Sequence, residues 1–170
     1  MTAPLSTPAI RPLTSLDHLE ALAGLLVETV ASGGSVNFMY PMAEADAREF
    51  WRGSLAAAAR GERVVLGAFI DDQLVGTVTL MLSFPPNQPH RAEIAKLMIL
   101  VAFRNRGIAS ALMRTAETIA RERGKTLLVL DTAEEGGAAP LYARLGYVKA
   151  GAIPDFALKP KGGLTGTILF

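Results

Sequence analysis

The residue order predicts an α/β fold: a mixed, mostly antiparallel seven-stranded sheet flanked by four helices, in the order β-α-α-β-β-β-α-β-α-β-β. Three observations point there. Short β-rich runs alternate with stretches whose apolar residues recur at helical spacing. Tight polar turns join neighbouring β runs in the middle of the chain and near its end, as hairpins do. Between those hairpins lie strand–helix–strand connections, which need crossovers and make the sheet mixed. The 170 residues are 50% hydrophobic and 19% charged, enough for one packed domain at 10–170 after a flexible lead at 1–9.

Ile10 to Thr14 reads as the first strand. Ser15 offers an N-cap, and Leu16, Leu19, Leu22, Leu25, Leu26 and Val30 then share a helical face until Gly33-Gly34 stops the pattern. Residues 35–41 form a loop, and an Ala-rich second helix runs from about Ala43 to Arg60. Arg63 to Ile70 and Leu74 to Phe84 are strands separated by the turn Asp71-Asp72-Gln73. Pro85 to Pro89 is too proline-rich for either regular element. An apolar strand from Ile94 to Phe103 then feeds an amphipathic helix from Ser110 to Arg123. Thr126 to Thr132 is a compact strand. Pro140 fits the first turn of a short helix over Ala138 to Leu145, which Gly146 closes. Tyr147 to Leu158 and Thr165 to Phe170 are the last strands.

Composition excludes several functions. A net charge of +1 with interspersed signs gives no reason to expect a nucleic-acid or anionic-membrane partner. The chain has no cysteine, which removes disulfides, thiolate metal ligands and a Cys nucleophile, and agrees with a cytoplasmic setting. The first nine residues lack the basic and apolar regions of a signal peptide. Leu97 to Phe103, the longest strongly apolar stretch, is far too short to span a bilayer. His18 and His90 stand apart, so no metal site and no Ser-His-Asp catalysis is expected.

The informative segment is Arg104-Asn105-Arg106-Gly107-Ile108-Ala109, at the strand-to-helix junction that leads into Ser110. A helix start carries unpaired N–H groups and the positive end of the macrodipole, so a Gly-containing basic loop there has the ingredients of a pyrophosphate cradle. Walker and Rossmann patterns fail. Ile119 stands where a Walker loop needs its first Gly before Gly124-Lys125-Thr126, and no G-x-G-x-x-G occurs.

Arg-x-x-Gly-x-Ala between a strand and a helix resembles the phosphate loop of the GNAT superfamily of N-acetyltransferases. Ala139 to Tyr147 is similar to that family's short helix ending in Leu-Gly-aromatic. Within the superfamily the chain looks most like the tabtoxin-resistance-type acetyltransferases. That likeness rests on Glu28-Thr29-Val30, Ser35-Val36, Phe38-Met39, Arg91 to Met98, Leu130-Asp131-Thr132 and Gly151 to Pro154. Val101 and Ala109 depart from the Pro and second Gly that family members often carry around the loop.

The resemblance implies acetyl-CoA as cosubstrate, no metal, and a primary amine of a small molecule, a toxin or antibiotic-like metabolite among the options, as acceptor. It is also compatible with a homodimer. The backbones of Met98 and Ile99 would pair with pantetheine, and Arg104, Asn105, Arg106, Gly107, Ile108, Ala109 and Ser110 would hold the pyrophosphate. Without cysteine to carry an acetyl group, the amine would attack directly in a ternary complex.

An amine of pKa about 10 is mostly ammonium at neutral pH and needs a base. Strand alternation puts Glu93 on one face with Ala95, Leu97 and Ile99, where desolvation would raise its pKa and suit that role. A pairing with Arg91 or Lys96 is the plainer alternative. Asp131, ending the run from Leu127, is either a second substrate-facing carboxylate, as the resemblance implies, or a cap for the turn at Thr132 to Glu135. The resemblance makes Tyr142 the general acid facing the thioester sulfur, whereas its leucine neighbours suit simple packing. Val36, Phe38, Tyr40 and Phe156 are the expected acceptor contacts, and Trp51 suits the core better. Two other functions fit the same residues: a non-catalytic acyl-CoA sensor, and a transferase acting on protein amines.

Overall fold

A computed structural model describes residues 7–170. Most of the lead expected at 1–9 lies outside the described residues, and Ala9 already belongs to the first strand. Eight strands and four α-helices follow one another: β1 (Ala9–Pro12), α1 (Leu19–Ala31), α2 (Glu44–Ala59), β2 (Arg63–Ile70), β3 (Gln73–Met81), β4 (Arg91–Ile99), α3 (Ile108–Glu122), β5 (Leu127–Val129), β6 (Asp131–Ala133), α4 (Ala139–Arg144), β7 (Gly151–Leu158) and β8 (Leu164–Leu169). The mixed, mostly antiparallel α/β architecture is as expected, but the strands form two sheets instead of one. One sheet has the order β1-β2-β3-β4-β5 and the other β6-β8-β7.

The division occurs at Leu130. The expected strand over Thr126 to Thr132 starts beside β4, with Arg91, Ala92 and Glu93 opposite Leu127, Leu128 and Val129 in parallel register. Leu130 then exchanges both backbone hydrogen bonds with Phe170, at 3.0 and 2.9 Å, and Asp131 opens β6 against β8. The chain therefore leaves β4 for β8 halfway along. Beyond Glu93, β4 has no β5 partner.

The central sheet is covered on both sides, and every residue of β3 from Leu74 to Leu80 is buried, the pattern of a strand enclosed between helices. On one face Leu22, Leu25, Leu26 and Val30 of α1 pack with Ala47, Trp51 and Leu55 of α2. Trp51 is thus core, fully buried. On the other face α3 presents Ile108, Leu112, Met113, Ala116 and Ala120, a stripe at helical spacing, to Leu66, Val78, Leu80 and Ile94.

The strand expected from Ile94 to Phe103 ends at Ile99, and Val101–Phe103 form a single 3-10 turn. Glu28 of α1 makes that turn possible by accepting the Val101 N–H at 3.0 Å. A bulge also interrupts β4. Thr79 lies opposite Ala95 and Thr77 opposite Met98, so Lys96 and Leu97 together face one residue of β3, and Lys96 takes a left-handed φ of 55°.

Leu112 is fully buried at the centre of the α3 face. Leu112→Ala should lower unfolding free energy by about 2–5 kcal/mol, read as a shifted denaturant midpoint at unchanged slope. A shift under about 1 kcal/mol would show that α3 is not the principal cover of that face.

Candidate active site

The divergence of β4 from β5 opens a cavity of about 800 Å³, floored by β4 and walled by the start of α3, the end of α1, α4 and the β6–β8 sheet. Its donor end is built from backbone. Past Glu93 the outer N–H and C=O groups of β4 have no strand beside them, an edge suited to an extended chain of amides. That edge runs toward the N-terminus of α3. There Asn105 and Gly107 adopt φ of 61° and 77°, a left-handed turn that glycine takes without strain and asparagine tolerates.

No side chain caps α3, and its first intrahelical bond is donated by Ala111 to Gly107. The amides of Ile108, Ala109 and Ser110 therefore lie at the positive helix end without helical partners. A Cβ built on Gly107 meets nothing within 4 Å, so the space in front of the loop is open. These residues fit a diphosphate.

Eight of the nine expected cofactor residues border this cavity: Met98, Ile99, Arg104, Asn105, Gly107, Ile108, Ala109 and Ser110. Arg106 does not; its guanidinium lies 5.0 Å from the Phe103 ring. Met98 contributes backbone only, since its side chain is buried in the α1–α2 core. Arg104 donates to the Ile99 carbonyl at 3.2 Å and to Ser32 Oγ at 3.1 Å, tying the end of β4 to the end of α1.

At the other end Glu93, Asp131 and Tyr142 all line the same cavity. The face expected for Glu93 needs correction. The bulge at Lys96 reverses the alternation, so Leu97 and Ile99 pack toward α3 while Met98 packs toward α1 and α2. Glu93 is also not on a dry apolar surface: its side chain is 37% exposed and its Oε2 sits 3.3 Å from Arg91 Nη1. Asp131 accepts from Thr167 Oγ1 at 2.8 Å, which fixes its carboxylate across β8.

Tyr142 is placed by a turn. Thr132 Oγ1 accepts the Ala138 N–H at 3.2 Å and so sets the start of α4. Buried between Tyr147 and Phe170, its phenol is pushed up to about 12 by desolvation and then by the nearby Asp131 charge. It therefore keeps its proton at neutral pH and is a weaker acid than an ordinary phenol.

Of the acceptor residues, Val36 and Phe156 line the cavity. Phe38 turns inward against Phe50 with ring centroids 5.1 Å apart, and Tyr40 is 51% exposed outside the cavity beneath Lys161. The residue that strand periodicity misses is Lys96. It lines the cavity with its ammonium 5.9 and 5.7 Å from the Phe38 and Phe50 rings. Burial pushes its pKa below the ordinary lysine value, Asp131 opposes that shift, Arg63 adds to it, and Glu93 opposes it. A left-handed φ costs a residue with a Cβ roughly 1–2 kcal/mol. The signal in the sequence was a lone lysine inside an otherwise apolar stretch of β4. Among the described residues no group of three or more His, Asp or Glu could hold a metal ion, and no helix is long and apolar enough to cross a membrane.

Residues 31–147 match the family model described as acetyltransferase (GNAT) family. The chain is 38% identical over 82 residues to rat N-acetyltransferase 8B, covering 47% of this chain and 37% of that protein. It is 31% identical over 104 residues to N-alpha-acetyltransferase MAK3 of Arabidopsis thaliana, covering 61% and 54%. The chain thus spans about a third to a half of the length of these curated relatives. In fold it resembles an N-acetyltransferase from Staphylococcus aureus Mu50, with TM-score 0.79 at 19% identity over 97% and 98% of the two chains. It also resembles yncA, a Salmonella typhimurium protein described as an acetyltransferase and solved with acetyl-CoA, with TM-score 0.78 at 15% identity over 96% and 92%.

The raised Tyr142 pKa has a consequence for stability. Between pH about 10 and about 12 the unfolded chain loses a proton that folded Tyr142 retains, so stability should fall as pH rises through that window. Denaturant unfolding at several alkaline pH values should show Tyr142→Phe removing about 2–3 kcal/mol of the decline. An identical decline in the variant would contradict the buried phenol.

Proposed function

Because the chain belongs to the acetyltransferase (GNAT) family, we propose that it transfers the acetyl group of acetyl-CoA to a primary amine of a small molecule by direct attack. The observation that carries this reading is the unpaired edge of β4 running into the uncapped N-terminus of α3. Amide groups of a pantetheine arm complement the first, and a diphosphate complements the second. Acetyl-CoA supplies an acyl group activated as a thioester; the chain supplies the rest.

Asp131 accepts the amine's proton, directly or through water, with Glu93 beside it as the second acceptor. An N–H of β4 donates to the acetyl oxygen as negative charge develops there. The new N–C bond forms as the C–S bond breaks, and Tyr142 gives its proton to the departing sulfur. The phenol is protonated when the thiolate forms, although burial, which raises its pKa, makes it a weaker acid than an ordinary tyrosine.

A small acceptor agrees with a strap that ties two segments bordering the cavity. The Tyr40 N–H donates to the Pro160 carbonyl at 2.9 Å, and Lys161 lies over the Tyr40 ring. These contacts join the α1–α2 loop to the β7–β8 hairpin, from which Asn37 and Lys159 line the cavity. The finer likeness to tabtoxin-resistance-type enzymes agrees with a small amine. The 31% identity to an N-alpha-acetyltransferase favours a second reading, with a protein N-terminus as acceptor. A thiol-release screen with acetyl-CoA separates the two: small primary amines should react and unstructured peptides should not. Reaction with peptides alone would establish the second reading.

Tyr142→Phe should lower kcat by roughly 100-fold while leaving acetyl-CoA affinity within about threefold, and unaltered turnover would remove it from proton transfer. Gly107→Val places a β-branched side chain at a φ of 77°, which distorts the turn that presents the helix-start amides. Its acetyl-CoA affinity by calorimetry should fall about tenfold or more, and unchanged affinity would place the diphosphate elsewhere.

A further inference from the structure

At the acceptor end of the cavity Lys96 is a cation with no ion-pair partner among the described residues. Glu93 is paired with Arg91, Lys159 with Glu135, and Asp131 takes the Thr167 hydroxyl. Lys96 enters none of the ion pairs formed among the described residues. Its ammonium rests instead near two aromatic rings, at 5.9 and 5.7 Å. The neighbouring cation Arg63 is turned toward Ser54 at 3.3 Å. Both features of Lys96 are unfavourable in isolation. Partial burial removes water from an ammonium, and a φ of 55° is one that asparagine or glycine takes with less strain. A backbone outlier beside a cavity points to a task for its side chain.

We propose that Lys96 binds an anionic group of the acceptor, so that the preferred acceptors are small zwitterions carrying a carboxylate beside the reacting amine. This assignment rests on the acetyl-transfer reading above and names the substrate class for it. Charge balance favours it. With Glu93 neutralised by Arg91 and Lys159 by Glu135, the charges left are Asp131 on the negative side and Lys96, Arg144 and the nearby Arg63 on the positive side. A simple monoamine can set its ammonium against Asp131 but leaves Lys96 without a partner. A zwitterion sets its ammonium against Asp131 and its carboxylate against Lys96, so each of its charges meets the opposite sign. The new ion pair also offsets the dehydration that lowers the Lys96 pKa. A monoanionic carboxylate matches this site better than a dianionic phosphate, since the ammonium that would receive it also lies near the Asp131 charge. A polypeptide N-terminus has an amide where this acceptor has its carboxylate.

The test is initial-rate thiol release with acetyl-CoA and matched acceptors: α-amino acids with side chains of several sizes, their carboxamides, and the corresponding decarboxylated amines. For the acid, kcat/KM should exceed that of its amide and amine by roughly tenfold or more, mainly through KM. Lys96→Gln should bring the acid-to-amide ratio close to one, and Lys96→Arg should retain a preference for the acid. A cooperative thermal melt establishes that each variant is folded; if Lys96→Gln does not fold, the wild-type ratio and Lys96→Arg decide. Equal rates for acid and amide, or a ratio that survives Lys96→Gln, would overturn the role of Lys96 and leave acetyl transfer standing. Thiol release with no amine of any kind would overturn acetyl transfer and this inference with it.

Discussion

The site depends on one event in the hydrogen-bond ladder: at Leu130 the chain stops pairing beside β4 and pairs with Phe170 instead. Two sheets then diverge from a shared root. Backbone polar groups in a protein interior are nearly always paired, and those of β4 beyond Glu93 lose their strand partner by construction. The opening is therefore lined by donors and acceptors at the spacing of a strand. A ligand that presents amides in extended form replaces the missing neighbour. The buried face of α3 holds that edge and the helix N-terminus in one rigid frame, because the residue that starts the helix, Ile108, is itself in the core.

The two ends of the cavity work by different physics. The donor end uses backbone dipoles, which cannot ionise and need no particular side chain beyond small ones at Gly107 and Ala109. The acceptor end uses side-chain charge held in fixed pairs, with Arg91 on Glu93 and Thr167 on Asp131. Tyr142 stands at that same end, its pKa raised by burial.

The donor end was legible in the sequence because its signals are local. A glycine at the start of an amphipathic stripe identifies a helix N-terminus, and Gly107 stands there in the structure. The order of strands and helices followed from periodicity in the same way. The acceptor end was less legible, because its residues are placed by long-range pairing. Period-2 alternation cannot register a bulge, so it grouped Glu93 with Leu97 and Ile99 across a position where the strand reverses its faces. The strand over Thr126 to Thr132 reads as continuous, and only β8 divides it. Phe38 is aromatic and near the site in sequence, yet its ring is consumed by Phe50 and the core. Arg104 stands where the loop suggests an anion ligand, while its guanidinium holds Ile99 and Ser32.

The central claim is that the free edge of β4 and the amides at the start of α3 together receive one extended, diphosphate-bearing ligand. Amide hydrogen exchange of the chain with and without acetyl-CoA tests this directly. Slowed exchange should be concentrated at residues 96–100 and 107–111, with the paired strands β2 and β3 little changed. Protection confined to other segments, or no protection at both of these, would contradict the account.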